Sequence, residues 1–278
     1  MLYTPCKIPV ELRSLVNSIA VMDADFALSG IPSVYHYPCS PQARLCFYTH
    51  GCLVKAQHDG SEKGVDLVPS FVVGPQLKGV TFDFGPYFRS VVVLFQAGAL
   101  YRLTGIPGAE IVDKTLPAEF VFGSSLRVLE QQLKALHDPE AMGRYIANYL
   151  LQRLVQVKEN LPFDHAINLL VRSYGNLAIA RVADYACLSL RQLERKCIER
   201  LGMGPKLFAR LVRFSKAYQL KESNPTSSWT HIAYDLGYHD QMHLIRDFKT
   251  FAGFAPSQVV KTFQTSFQLV NMLEGGKG

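Results

Sequence analysis

The last third of the chain is written twice. "VADYACLSLRQLERKCIERLGMGP" (Val182 to Pro205) lines up with "IAYDLGYHDQMHLIRDFKTFAGFAP" (Ile232 to Pro256). Val182 and Ala183 fall on Ile232 and Ala233 at an offset of 50, and Leu193, Gly202 and Pro205 fall on Leu244, Gly253 and Pro256 at an offset of 51. One residue has been added in the turn of the second copy. Two copies are too few for a stacked solenoid. Each copy has the pattern of a helix, a short turn, a second helix, a glycine stop and a proline that opens the next helix. The chain is thereby committed to two helix-turn-helix units.

In the first unit, Val182, Ala183 and Ala186 face inward, "CLS" makes the turn and Ser189 caps the second helix. That helix is expected to bury Leu190, Leu193, Cys197 and Leu201, and to expose Arg191, Gln192, Glu194, Arg195 and Lys196. In the second unit, Ile232, Ala233 and Leu236 pack, and Gly237 allows the turn. The helix starting near Asp240 buries Leu244, Phe248 and Phe251 and exposes Gln241, Met242, Ile245, Arg246 and Lys249. Arginine pairs with guanine edges and glutamine with adenine edges in a major groove, while lysines and capped helix starts serve phosphates. Between the units, "PKLFARLVRFSKAYQLKES" predicts one helix, with Leu207, Phe208, Leu211, Val212, Phe214 and Leu220 packed and Lys206, Arg210, Arg213 and Lys216 in water. Such a rod, about 26 Å long, can hold two recognition helices about one DNA turn apart, roughly 34 Å.

Charge is divided in the same way. Residues 1–163 hold 14 Lys+Arg and 14 Asp+Glu, whereas residues 164–278 hold 15 Lys+Arg and 9 Asp+Glu. All of the net +6 therefore lies in the second part. A neutral half joined to a basic one fits a polyanion partner; solvated basic side chains are the plain alternative.

These residues carry a family resemblance. The region from about Phe163 to Phe263 resembles the DNA-binding domain of AraC/XylS-type transcription regulators. "LSLRQLERKCIERLGMGPKLFARLVRF" is similar to the family's S-x-R-x-L-x-R-x-F…G-x-x-P pattern, with Cys197 in place of the usual Phe. "DLGYHDQMHLIRDFKTFAGFAPSQ" is similar to the more strongly marked second pattern, G-[FY]-x-[DS]-Q-S-[HY]-F-x-R-x-F-K…G-x-x-P. There Met242, Leu244 and Ala255 stand where Ser, Phe and Ser are common. The resemblance implies seven helices, operator binding and control of transcription. By position it implies that Arg191, Glu194 and Arg195, and Gln241, Met242 and Arg246, face the bases, and that His243 contacts a phosphate or supports the turn.

From about Pro32 to Phe122 the texture is that of strands. "SVYHYP", "ARLCFYTHG", "SFVVGP", "GVTFDFGP" and "RSVVVLF" are short β-branched or aromatic runs punctuated by Gly and Pro. They predict a small barrel or sandwich. "FGPYFRSVVVLFQAGALY" lines either an effector pocket or simply the core. From Ser124 to Lys158 the spacing is helical, broken at "HDPEA", where Asp138 caps a helix that Pro139 begins. Leu129, Leu133, Tyr145 and Tyr149 on these helices are expected to pair two subunits, to cap the barrel of their own chain, or to do both. "ENLPFD" is the expected linker. The order of β-rich core, helical pair, linker and DNA-binding domain resembles the sensing and dimerising half of the same family; "YTPCKIPVELRSLVNSIAVMD" and "FQAGALYRLTGIPGAEIVDKTL" look like an uncharacterised N-terminal domain of such regulators.

Other chemistry is poorly supported. His239 and His243 stand four apart, a spacing that grips a metal on a helix, but no third ligand follows in register. His36, Cys39, Cys46, His50 and Cys52 fit no zinc spacing and are expected as core thiols and a satisfied histidine. No GxSxG, P-loop, HExxH or cupin-like HxH is present, so neither an enzyme nor a cofactor is expected. No apolar run is long enough for a membrane helix, no secretion signal is visible and the six cysteines lack a CxxC, which together predict a cytoplasmic protein.

The expected fold is α+β. A β-rich sensing domain spans 1–122, a helical dimerisation segment 123–158, a linker 159–164, an all-α DNA-binding domain of two helix-turn-helix units joined by a long helix 165–265, and a tail 266–278. The expected partners are double-stranded promoter DNA, a second copy of the chain, and a small-molecule effector or RNA polymerase. Control by a protein partner without a small ligand is the alternative, and an enzyme fused to a DNA-binding domain a remoter one.

Overall fold

The computed structural model describes residues 2–30, 32–51, 54–58 and 64–259. Ten strands and eleven α-helices follow in chain order among these residues. The strands are β1 (Leu2–Pro5), β2 (Val16–Asp25), β3 (Val34–Tyr37), β4 (Arg44–Gly51), β5 (Lys55–His58), β6 (Val65–Asp66), β7 (Ser70–Val73), β8 (Val80–Asp83), β9 (Tyr87–Phe95) and β10 (Thr115–Pro117). The helices of the first half are α1 (Phe26–Ser29), α2 (Ala99–Thr104), α3 (Ala118–Phe122), α4 (Leu126–Ala135) and α5 (Pro139–Arg153). Those of the second half are α6 (Pro162–Arg172), α7 (Ile179–Tyr185), α8 (Leu190–Leu201), α9 (Pro205–Ser223), α10 (Trp229–Asp235) and α11 (Gln241–Phe251).

The strands form a six-stranded sheet, in the order β1-β2-β9-β4-β7-β10, and a four-stranded sheet, β3-β8-β5-β6. Their inner faces meet through Met22, Cys46, Phe71 and Val92 on one side and Tyr37, Ala56, Val80 and Phe82 on the other. Successive residues of a strand point to opposite faces. Hence Val91 and Val93 of β9 turn away from Val92 and pack under α4 and α5, with Leu126, Leu129, Leu133, Met142, Ile146 and Leu150. The large sheet is thus buried on both faces.

All five sequence runs expected as strands are strands, but β1 and β2 lie upstream of the region where the texture was strand-like. Asp138 caps α5 through its side chain, and Pro139 begins it, as the sequence predicts. The linker is shorter than expected. Pro162 opens α6, and Phe163 and Asp164 are buried residues of that helix. Of the seven helices implied for the second half, six are described; a 3₁₀ turn at Pro256–Gln258 follows them, and the region beyond, including the tail 266–278, lies outside the described residues. Cys52 also lies outside them.

Leu129 and Leu133 are corrected as dimer contacts. They are 3% and 0% exposed, because they are the residues that seat α4 on the sheet of their own chain. The outer side of the α4–α5 pair is a groove of about 650 Å³ edged by Val128, Gln132, Tyr145, Asn148, Tyr149 and Gln152.

Candidate nucleic-acid interface

The two units share a plan and differ in detail. In the first, α7 buries Val182 and Ala183. Cys187 takes φ of +54° to make the turn. Ser189 then caps α8: its Oγ accepts from the Gln192 backbone N–H at 3.3 Å, and Gln192 Oε1 accepts from the Ser189 N–H at 2.9 Å. This reciprocal cap satisfies two backbone donors that a helix start would otherwise leave open. It also fixes Gln192, whose oxygen is thereby turned to its own backbone. Leu193, Cys197 and Leu201 are buried as expected, and burial pushes the Cys197 thiol up to about 12, so it stays a neutral packing group. Leu190 is corrected: it is 58% exposed, since it is the first residue of the helix and lies outside the packed stripe. Arg191, Glu194 and Arg195 are exposed and Lys196 is half-buried. Ser189, Arg191, Gln192 and Arg195 edge a depression of about 370 Å³.

In the second unit, the Ser228 Oγ caps α10 by accepting from the His231 N–H at 3.1 Å. Gly237 makes the turn at φ +63°. Asp240 caps α11, its Oδ1 accepting from the His243 N–H at 2.8 Å. That hydrogen bond is the main cause that holds the Asp240 carboxyl below its usual range, with smaller help from the His239 and His243 side chains. Leu244, Phe248 and Phe251 are buried, while Gln241, Met242, His243, Arg246 and Lys249 are exposed and Ile245 is half-buried.

The histidine pair needs a correction as well. Asp240 is a third donor: His239, Asp240 and His243 bring one ligand atom each within 4.8 Å of the others. The same carboxylate already caps α11 and lies 3.3 Å from both Nδ1 atoms. A cation there would also meet the positive end of the helix dipole. The cluster is the solvated cap of a recognition helix.

Both recognition helices are held at their far ends. Arg200 of α8 donates from Nη1 to both carboxylate oxygens of Asp164, at 2.8 and 2.9 Å, with the two side chains 6% and 3% exposed. Its guanidinium stacks between Tyr101, at 5.2 Å, and Phe163, at 5.3 Å. The Tyr101 hydroxyl donates to Glu199. At Gly108 an added Cβ would stand 2.2 Å from the Gly202 nitrogen, so backbone meets backbone where the first half touches the end of α8. For α11 the fixed points are Arg210 of α9, whose Nε and Nη2 reach the Asp247 carboxylate at 2.9 and 2.8 Å, and Cys39, whose thiol donates to the Phe251 carbonyl at 2.7 Å. Arg213, expected in water, instead donates to the Gly175 carbonyl at 2.8 Å and lies 5.2 Å from the Tyr238 ring. These anchors join residues far apart in sequence, and no local pattern marks them.

The free ends of α8 and α11 thus present Arg191, Arg195 and Arg246 to solvent, and none of the three has an ion-pair partner among the described residues. A family model described as a helix-turn-helix domain matches residues 182–262. No curated protein matches the chain. Among solved structures, it is similar to ToxT from Vibrio cholerae, at 12% identity and a TM-score of 0.49 over 89% of this chain and 98% of that one. It is also similar to the AraC-like transcriptional activator CuxR, at 10% identity and a TM-score of 0.21 over 96% and 89%.

Proposed function

We propose, from the premise that residues 182–262 are a helix-turn-helix domain of the AraC type, that this chain is a transcription regulator that reads two half-sites of a promoter. The observation that carries the reading is the pair of capped helices α8 and α11, whose exposed faces carry Arg191, Gln192 and Arg195 on the one and Gln241 and Arg246 on the other. Arg191 and Arg195 are suited to guanine edges in one half-site and Arg246 in the other, with Gln241 suited to adenine. Met242 offers an apolar contact to a thymine methyl. Glu194 is suited to a cytosine amino group. Ser189, Gln192, Lys196, His243, Ile245 and Lys249 border these contacts, and the lysines and capped helix starts face phosphates. The α9 rod of 19 residues, about 28 Å long, sets the distance between the two readers.

The first half is proposed to control this binding. Its barrel interior holds a cavity of about 30 Å³, lined by aromatic and aliphatic side chains with Arg44 as the charged group. That volume is near the room one water needs, so an effector entering there would have to displace aromatic rings. The groove between α4 and α5 is far larger, and Val128 and Tyr145 along it are 59% and 42% exposed. It favours pairing of two copies through Tyr145 and Tyr149 as the main task of this half. RNA polymerase is a further candidate partner. Sedimentation of the intact chain and of Tyr145→Glu separates the readings: a dimer lost in the variant supports pairing there, and a monomeric parent refutes it. For DNA, affinity should fall steeply with salt because phosphate contacts release counterions. A flat salt dependence would sink the proposal.

A further inference from the structure

Residues 173–178 join α6 to the first helix-turn-helix unit, and their backbone is more constrained than a plain connection requires. At the end of α6 the Gly175 N–H donates to the Leu170 carbonyl and the Tyr174 N–H to the Val171 carbonyl, both at 2.9 Å. This pair of bonds closes a helix on a left-handed residue, usually glycine. Here that residue is Tyr174, at φ +53°, and the glycine follows it at φ +75°. Backbone meets backbone at the glycine: a Cβ on Gly175 would stand 2.1 Å from the Ala209 carbonyl oxygen of α9. A tyrosine in the left-handed region is strained and persists only where its surroundings hold it. The Lys216 ammonium, also on α9, lies 5.2 Å from the centroid of the Tyr174 ring.

The same loop also meets the second unit. Arg213 of α9 donates from Nη2 to the Gly175 carbonyl at 2.8 Å, and its guanidinium carbon stands 5.2 Å from the centroid of the Tyr238 ring. Tyr238 is buried and follows Gly237, which makes the turn of the second unit. The Asn176 amide group lies against that turn as well, 3.0 to 3.1 Å from where a Cβ on Gly237 would be. The entry to the first unit and the turn of the second are therefore in contact, directly through Asn176 and through Arg213 as a bridge. The length of α9 fixes how far apart α8 and α11 stand. Rotation of one unit against the other about that rod is fixed by a contact off its axis, and this junction is such a contact.

We propose that this junction, Gly175, Asn176 and Arg213 against Gly237 and Tyr238, locks the rotation of the second unit relative to the first and so selects the half-site spacing that the protein accepts. Asn176 and Arg213 are positioning residues, acting through the turn that precedes α11. DNA couples rotation to spacing: each base pair added between two half-sites moves the second by about 3.4 Å and turns it by about 35°. Two units locked in rotation engage both half-sites at one spacing. Units free to turn engage both at several spacings, with less gain at each. The spacing role rests on the reading of two half-sites proposed above; the lock between the units does not.

Two measurements on the intact chain test the junction, with Arg213→Met and Asn176→Ala as variants. The first is amide hydrogen exchange in the free protein. The amides of Gly175, Asn176, Gly237 and Tyr238 are all hydrogen-bonded to backbone carbonyls. In either variant, exchange should quicken together at Gly175 and Asn176 and at Gly237 and Tyr238, while α8 keeps its protection. Quickening on one side alone, or on neither, would overturn the lock. The second uses the duplex that the parent selects from a random pool, rebuilt with its half-sites one and two base pairs closer or farther apart. The parent should favour one spacing. In Arg213→Met the ratio of affinity at that spacing to affinity one base pair away should fall about tenfold, with affinity for a single half-site unchanged. Arg213→Lys, which keeps a cation able to donate to the Gly175 carbonyl, should retain most of the preference. Should Arg213→Met fail to fold, Asn176→Ala carries both measurements. An equal loss at every spacing, or an unchanged spacing profile in a variant whose exchange has quickened, would overturn the spacing role. Failure of the DNA-reading proposal would show separately, as no duplex selected by the parent, and the exchange result would still decide the lock.

Discussion

The two helix-turn-helix units are copies of one plan held in place by different chemistry. The first ends in a dry ion pair, Asp164 with Arg200, enclosed by Tyr101 and Phe163 and pressed against the β-rich half. The second ends in a half-wet pair, where Asp247 is 8% and Arg210 45% exposed. The first unit turns on a cysteine in the left-handed region and the second on a glycine. What this teaches is that the first unit is fixed to the β-rich half of the molecule, whereas the second is fixed mainly to the rod. On the control role proposed for the β-rich half, a signal from it would reach the two units unequally.

The largest effect should come from breaking the dry pair. Asp164→Ala leaves Arg200 buried without its counter-charge and should cost about 3–5 kcal/mol of unfolding free energy in denaturant titration. Asp247→Ala lets Arg210 swing into water, and the loss should be nearer 1–2 kcal/mol. Equal losses would erase the distinction between the units. Next come the readers themselves. Arg195→Ala and Arg246→Ala should each weaken specific binding by about 1–3 kcal/mol, a tenfold loss for every 1.4 kcal/mol. If the units read separate half-sites, each variant should relax preference in only one of them.

Smaller effects sharpen the turn comparison. Gly237→Ala forces a side chain into the left-handed region and brings its Cβ to 3.0 Å from Asn176 Oδ1. It should cost about 1–2 kcal/mol. Cys187→Gly relieves the same backbone in the first unit and should be neutral or gain up to about 1 kcal/mol, the gain being offset by a freer unfolded chain. Thermal melts of the two variants would show opposite signs. The smallest effect is on pH. Asp240 has its carboxyl pKa lowered in the folded state, so its cap contributes above the usual carboxylate range and is lost as pH falls through the folded value. Hydrogen exchange in the first turn of α11 should therefore rise below about pH 4, and Asp240→Ala should remove that dependence.

How much of this was legible in the sequence follows from how local the cause is. The caps at Ser189 and Asp138, the helix start near Asp240, the Gly237 turn and the buried stripe of Leu244, Phe248 and Phe251 are set within a few residues, and all were readable. The β2 strand was not. Its "VNSIAVMDAD" lies between two cores, with Val16, Ile19 and Val21 turned to one and Met22 and Ala24 to the other, and its Ala and Ser are weak strand signals. Proline misled at 162, where it begins a helix. The anchors of the recognition helices were invisible because Asp164–Arg200 and Cys39–Phe251 join positions 36 and 212 apart. Leu129 and Leu133 show the limit of periodicity: it says which face is apolar, and only the fold says what covers it.

The central claim is that two readers on one chain engage two half-sites at a distance set by α9. Selection of bound sequences from a random DNA pool, followed by footprinting on the selected site, tests it most directly. The account predicts two protected half-sites about one helical turn apart, with Arg195→Ala erasing preference in one and Arg246→Ala in the other. A single short half-site unaffected by either substitution, or no enrichment at all, would contradict it.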